Sequence, residues 1–430
     1  MPLPLGARNS MKRYKATQVF VPGGMPQHTY VERAERDLES KLESVTENLC
    51  KLVTLTGATK SGKTVLVNKM FPRLNGENVW IDGGTIASEN DLWSSILSSI
   101  DGYSGTEQSE SEEASQGVTG DIEAEAGIPL IAKGKGKVGT SLTRKQSGAS
   151  KKSLTVSPRS AAITQLRQSE KPLIIDDFHY LDRKFQGDVI RALKPLVFEG
   201  HPVIIIAIPH RRYDAVKVER EMTGRLEPIP VPVWSASELK EIPDIGFPLL
   251  NADLTSDISD RLAREAYGSP HLMQEFCRGL CTQEGLSETA TSRRRISRID
   301  ESLFKRIAEG TGKVVFDKLA KGPRQRSDRK PRPLATGGSA DIYRVVLLAL
   351  AKIAPGMEKV DYESLRTAIR ETLTNEFPQS HEVSRVLEKM GEIASSDEAS
   401  TPVIDWDKTE QELHVTDPFF AFFLKWGVQA

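Results

Sequence analysis

The sequence predicts an α/β fold: a parallel sheet between helices, a helical lid behind it, and a C-terminal domain of three helices and a hairpin. Three observations carry this. The stretch Gly57-Ala58-Thr59-Lys60-Ser61-Gly62-Lys63-Thr64 stands between an apolar run at 52–56 and a helix-compatible segment at 65–71. Strand, glycine loop and helix in that order form a phosphate cradle. Further on, Leu173, Ile174 and Ile175 lead into Asp176-Asp177, the pattern of a buried parallel strand delivering carboxylates to the carboxyl edge of a sheet. A third apolar run at 202–208 has no alternation, as expected of a strand covered on both faces.

Each residue type in the loop has a reason. Gly57 and Gly62 let the backbone curl so that successive N–H groups, including those of Ala58, Thr59, Lys60 and Ser61, face an anion. The following helix adds its positive end. Lys63 can reach the β- and γ-phosphates, and the Thr64 hydroxyl can ligate magnesium. Asp176 is placed to hold the same ion through water, and Asp177 to orient or deprotonate an attacking water. The pattern is that of a P-loop NTPase, with ATP and Mg2+ as the expected ligands.

The chain has 430 residues, 38% hydrophobic and 27% charged, with a formal net charge of −1. That balance exerts no global pull on nucleic acid or an anionic membrane, so such a partner would need a local patch. No apolar run approaches the roughly 18 residues of a membrane span. Cys50, Cys277 and Cys281 show no metal-ligand spacing, and the last two lie one helical turn apart in a segment that reads as core. A cytoplasmic protein is expected.

In chain order, residues 1–18 read as a loose tail and 19–233 as the nucleotide-binding core. Thr29 can cap a helix running from 31 to 45, with Glu32 in capping-box position. Tyr30 can cover a nucleobase or pack beneath that helix. Residues 78–83 read as a short buried strand and 89–100 as an amphipathic helix. An insertion at 101–160 is poor in large apolar residues, its acidic half preceding its basic half; it reads either as a solvated loop or as a hairpin. After the strand at 202–208 comes His210, a candidate γ-phosphate sensor or part of a solvated basic loop. Arg225 precedes a strand-like run at 226–233; it can reach a γ-phosphate in its own or a neighbouring subunit, or pair with a local glutamate. Residues 234–285 read as the lid, in which Pro270 can press on adenine or ribose or simply occupy the first helical position. Residues 286–340, with clustered arginines, read as a basic linker, and 341–430 as a winged-helix-like domain closed by an aromatic helix.

The P-loop, Asp176-Asp177 with Phe178-His179, the lid with Gly268-Ser269-Pro270, and a C-terminal end with Asp417-Pro418 before aromatics together resemble an AAA+/STAND-type P-loop ATPase. The nearest likeness is to the prokaryotic branch of origin-recognition-like and archaeal-type ATPases, well over 20–285 and loosely over 340–430. The resemblance implies Lys63 and Thr64 as nucleotide and magnesium residues, Asp176 as the Walker B aspartate and Arg225 as an arginine finger. Three departures stand out. Position 177 is Asp where such enzymes carry Glu, the sensor position lacks Asn or Thr, and the lid has no clear sensor arginine. All three point to slow turnover.

Two functions follow as expectations. One is a regulatory ATPase that forms homo-oligomers through its nucleotide sites and signals to a separate protein partner, a mode used by many proteins of bacterial immunity against phage. The other is a DNA-associated loader or target-selection ATPase gripping DNA through its winged helix and arginines. The third helix of the C-terminal domain carries Arg385 and Lys389 but also Glu382, Glu388 and Glu392, a weak face for a polyanion.

Overall fold

The computed structural model describes residues 12–47, 50–101, 157–208, 224–324, 329–395 and 402–428. Five strands, β1 (Leu52–Gly57), β2 (Val79–Asp82), β3 (Leu173–Asp176), β4 (Val203–Ala207) and β5 (Leu226–Val231), form one sheet in the order β2-β3-β4-β1-β5. Every pairing is parallel. Parallel strands must be covered on both faces, and alternate residues of each strand feed two separate cores. Leu52, Leu173, Ile175, Val203 and Ile205 meet the helices Glu89–Asp101, Pro158–Ser169 and Arg183–Phe198 on one face. Val53, Leu55, Ile174, Ile204 and Ile206 meet Lys63–Met70 and Leu38–Glu43 on the other.

The sequence placed one helix over residues 31–45. The chain instead makes a tight turn at Ala34–Arg36, a short helix at Leu38–Glu43 and another turn at Ser44–Thr46. Val31 belongs to the lid's core, whereas Leu38 and Leu42 face the sheet. No single straight helix can serve both, and Asp37 breaks it in a left-handed conformation (φ 54°).

The lid helices Ala236–Leu249, Ser256–Glu265 and Pro270–Gln283 share one continuous core with the C-terminal segment. Cys277 and Cys281 are buried in it as free thiols. The stretch read as a linker contributes to the same core. Residues 302–309 and 313–321 are helical, and Leu303, Phe304 and Leu319 are fully buried. Local charge hid them: the polar sequence between the apolar positions looks outward. The tail reading is likewise corrected for residues 12–18. Ala16 donates its N–H to the Ser287 carbonyl at 2.9 Å, and Ala16 and Val19 are buried.

The C-terminal region runs helix Ile342–Ile353, strand Lys359–Asp361, helices Tyr362–Thr372 and Ser380–Ala394, then strands Ile404–Asp407 and Glu412–Val415. The last strand lies between the other two in an antiparallel sheet. The closing helix Pro418–Trp426 buries its aromatics against earlier parts of the chain: Phe422 lies 5.1 Å from Phe276 and 6.1 Å from Phe304, centroid to centroid. Among the described residues no helix is long and apolar enough to cross a membrane.

Candidate functional site

The phosphate loop leaves β1 at Gly57, and its helix begins at Lys63. Gly62 sits at φ 91°, a left-handed turn that glycine adopts without strain and that swings the chain into the helix. Lys63 is buried, and its ammonium donates to the carbonyls of Gly57 (2.9 Å) and Ala58 (2.8 Å). Burial pulls its pKa down to about 8, against the pull of Asp177 and Asp176. A cation held in the throat of its own loop, hydrogen-bonded there to two carbonyls, is built to meet an anion.

β3 lies one strand away from β1, with β4 between them. This puts Asp176 opposite the start of the phosphate-loop helix. The Thr64 hydroxyl donates to Asp176 Oδ1 at 3.3 Å, and the Asp177 N–H donates to the same oxygen at 2.9 Å. Burial, then the charge of Asp177, push the Asp176 pKa up to about 6. Burial, then Asp82, push Asp177 up as well. These crowded carboxylates fit a divalent cation, with Thr64 and Asp176 supplying the hard oxygen ligands it prefers. No cluster of three or more His, Cys, Asp or Glu side chains forms a metal site among the described residues, so the ion would share its sphere with nucleotide oxygens and water.

A cavity of about 880 Å³ joins these parts. The whole loop from Thr59 to Thr64 and Asp177 form its polar end, while Tyr30, Val31 and Pro270 stand along its length. The Tyr30 hydroxyl donates to Glu39 at 2.7 Å, and burial together with that bond raises its pKa. Pro270 is the first residue of its helix and faces Gly62. The structure therefore brings together Gly57 through Thr64, Tyr30, Pro270, Asp176 and Asp177.

One candidate is not brought there, and another is not described. His210 lies outside the described residues. Arg225 stands at the opposite edge of the sheet: Leu226 pairs with Leu52, whereas Val231 pairs with Gly57 where the loop begins. Its guanidinium stacks over Phe198 at 5.0 Å. Five residues of strand, about 17 Å at 3.3 Å each, separate the two edges, so Arg225 does not reach the phosphate end of its own chain.

Other residues at the site carried no role in the sequence. Trp234 Nε1 donates to the Ser61 carbonyl at 2.9 Å, pinning the loop to the lid junction, and the Arg33 guanidinium stacks on its ring at 4.9 Å. Asp82 ends β2 beside Asp176 in register. Gly83 approaches so closely that a Cβ there would stand 2.6 Å from the Asp177 carbonyl. Lys60 lies over the Phe419 ring at 4.4 Å, joining the loop to the C-terminal helix. A second strand-end carboxylate followed by glycine was the one local signal for Asp82; the rest are contacts between distant segments.

No family model and no curated protein matches the sequence. Solved structures do match in fold. A Walker-type ATPase of Pyrococcus abyssi superposes with a TM-score of 0.51 at 17% identity, over 94% of this chain and 98% of that one. Cdc6p of Pyrobaculum aerophilum gives 0.42 at 13% identity over 95% and 96%. The Orc1 protein of Aeropyrum pernix, solved in complex with DNA, gives 0.44 at 12% identity over 96% of each chain. The parallel sheet, its strand order and the phosphate loop make this the fold of a P-loop NTPase.

Proposed function

We propose that the chain binds ATP with Mg2+ at this site, hydrolyses it slowly to ADP and phosphate, and acts as a nucleotide-dependent switch on a protein partner, assembling with further copies of itself. The carrying observation is the convergence of Lys63, Thr64 and Asp177 at the polar end of one cavity, with Asp176 bonded to Thr64 behind them; the length of that cavity is lined by Tyr30, Val31 and Pro270. A triphosphate suits the first part, and a base and ribose suit the second.

Lys63 exchanges its two carbonyl partners for β- and γ-phosphate oxygens, and the loop N–H groups hold the rest of the anion. Bound magnesium would neutralise phosphate charge between Thr64 and Asp176. Asp177 orients the attacking water and accepts its proton. Its carboxylate is one methylene shorter than a glutamate's, which supports low turnover. Slow hydrolysis suits a switch, whose bound state must outlast the encounter with its partner.

The order of helix, strand, two helices and hairpin over 342–415 supports a winged-helix assignment for the C-terminal domain. Its cations argue against a DNA grip. Lys389 pairs with Glu392 and Lys408 with Glu388, both at 2.6 Å. In the clusters read as a basic linker, Arg329 pairs with Asp341 at 2.6 Å and Arg332 with Glu382 at 3.1 Å. Guanidinium and ammonium groups already neutralised within the chain release few counterions from a duplex.

The test is ATP affinity, turnover and assembly state of the purified chain, with and without duplex DNA. Micromolar-range ATP binding with slow turnover, ATP-dependent association and indifference to DNA is the expected result. No ATP binding overturns the reading; strong stimulation by duplex DNA moves it to a DNA-associated ATPase.

A further inference from the structure

The turn after Asp177 carries a histidine that none of the reactions above uses. Phe178–Tyr180 forms one tight helical turn, and Gln186 Nε2 fixes it by donating to the carbonyls of Phe178 (3.2 Å) and Leu181 (2.6 Å). His179 therefore projects from a rigid element. Its side chain is only 17% exposed, and its Nδ1 is buried without a hydrogen-bond partner among the described residues. The group facing that nitrogen is the Asp177 carboxylate, with Nδ1 3.9 Å from Oδ1. The other face of the imidazole lies against the Tyr180 ring, 4.6 Å between centroids.

Asp177 itself needs holding. Its backbone is left-handed (φ 50°), and its side chain is 46% exposed, free to turn away from the phosphate end. Non-glycine residues in that conformation persist where their surroundings impose it. Gly83 beneath the peptide supplies half of that constraint. A donor on the carboxylate would hold the side chain as well.

We propose that His179 is a positioning residue for ATP hydrolysis: its Nδ1–H holds the Asp177 carboxylate toward the attacking water. A closure of about 1 Å brings the pair from 3.9 Å to hydrogen-bond distance, and apo sites often tighten in this way only when substrate is bound. Burial, then the Lys63 charge, lower the His179 pKa to about 4, so the ring is neutral and carries one N–H to spend on the carboxylate. Because that imidazole stays neutral, it steadies the carboxylate without withdrawing the basicity that water activation requires. The inference rests on the ATPase reading above and names a residue that reading does not need.

The test compares wild type with His179→Ala, His179→Asn and His179→Gln, each alone and with Asp177→Asn. ATP affinity, kcat and thermal unfolding are measured for every variant. An asparagine amide stands where Nδ1 stood, whereas a glutamine amide falls near Nε2. The expected result is a 10- to 100-fold loss of kcat in His179→Ala and His179→Gln, with ATP affinity within about twofold and most of the rate recovered in His179→Asn, since misplacing a reacting group by about 1 Å costs up to 10²-fold. In the Asp177→Asn background the same changes should add almost nothing. Unchanged kcat in His179→Ala overturns the proposal. So does equal loss in all three variants tracking lowered melting temperatures, which would make His179 a packing residue against Tyr180. Full additivity with Asp177→Asn would do the same. Wild-type chain that fails to bind ATP overturns the ATPase reading itself, and the affinity measurement separates that outcome from the others.

Discussion

In the proposed function one buried charge, Lys63, sets both ATP affinity and its pH dependence. Its ammonium has traded water for two carbonyls, and burial draws its pKa down to about 8. Lys63→Ala removes the cation from the throat of the loop and should abolish ATP binding in calorimetry; full-strength binding would refute the phosphate-cradle assignment. In the wild type, the charged form binds the anion. Above about pH 8 an increasing share of empty sites is neutral, so binding must take up a proton. The dissociation constant should rise by up to about tenfold per pH unit there and stay nearly flat just below, because a shifted protonation equilibrium costs 1.36 kcal/mol per unit. Asp177 separates the other way. Asp177→Asn keeps the shape but loses the base, and should cut turnover by about 10²–10⁴-fold with ATP affinity retained. Unchanged turnover would hand the water to another group.

At the scale of elements, the site depends on how β2 and β3 end together. Asp82 and Asp176 are in register, and Gly83 slides beneath the 176–177 peptide because it has no side chain. In Gly83→Ala the new Cβ would stand 2.6 Å from the Asp177 carbonyl and 3.1 Å from that of Asp176, and both neighbours are backbone. Overpacking of this kind costs about 1–3 kcal/mol. It should also displace Asp177, lowering kcat more than ATP affinity. Gly84→Ala is the control: its Cβ meets the Asp82 carboxylate at 3.2 Å, which can yield. Equal turnover in the two variants would show that the β2 end does not set the catalytic turn.

At the scale of the molecule, the chain has two open ends to its function. Arg225 lies at the edge of the sheet away from its own phosphate loop, so a role in hydrolysis requires a second copy. An arginine reaching a γ-phosphate in trans accelerates transfer by about 10³–10⁵-fold in related systems. Turnover per chain should then rise with protein concentration, and Arg225→Ala should remove both the rise and ATP-dependent association. A flat dependence in an ATP-binding protein would end the assembly model and leave Arg225 as the partner of Phe198. Residues 102–156 give the second test. The helices that flank them, Glu89–Asp101 and Pro158–Ser169, share a core through Trp93, Ile96, Ala162 and Leu166. Replacing 102–156 with a Gly/Ser linker of about ten residues, which spans up to about 35 Å, should preserve soluble, ATP-binding protein. Loss of folding would show that the insertion belongs to the core.

The phosphate loop, its flanking strand and helix, and the Asp176-Asp177 strand end were legible in the sequence because each is a contiguous stretch whose chemistry is complete within a few residues. Burial on both faces also leaves its mark locally, as the unbroken apolar runs of β3 and β4. Tyr30 and Pro270 could be named but not placed, since their own segments allow either packing or ligand contact. What the tertiary structure alone decided are relations between distant residues. The parallel register of β5 against β1 carried Arg225 to the far edge, and strand order set Asp82 beside Asp176. Two cores competing for Val31 and Leu38 broke the first helix at Asp37. Three aromatics from two other helices buried Phe304 inside a stretch whose charges read as a linker. His179 became meaningful only once its turn was seen to aim it at Asp177. The physical reason is common to all four: a motif is held by covalent neighbours, whereas register, edge and burial are settled by whichever partners the folded chain brings near.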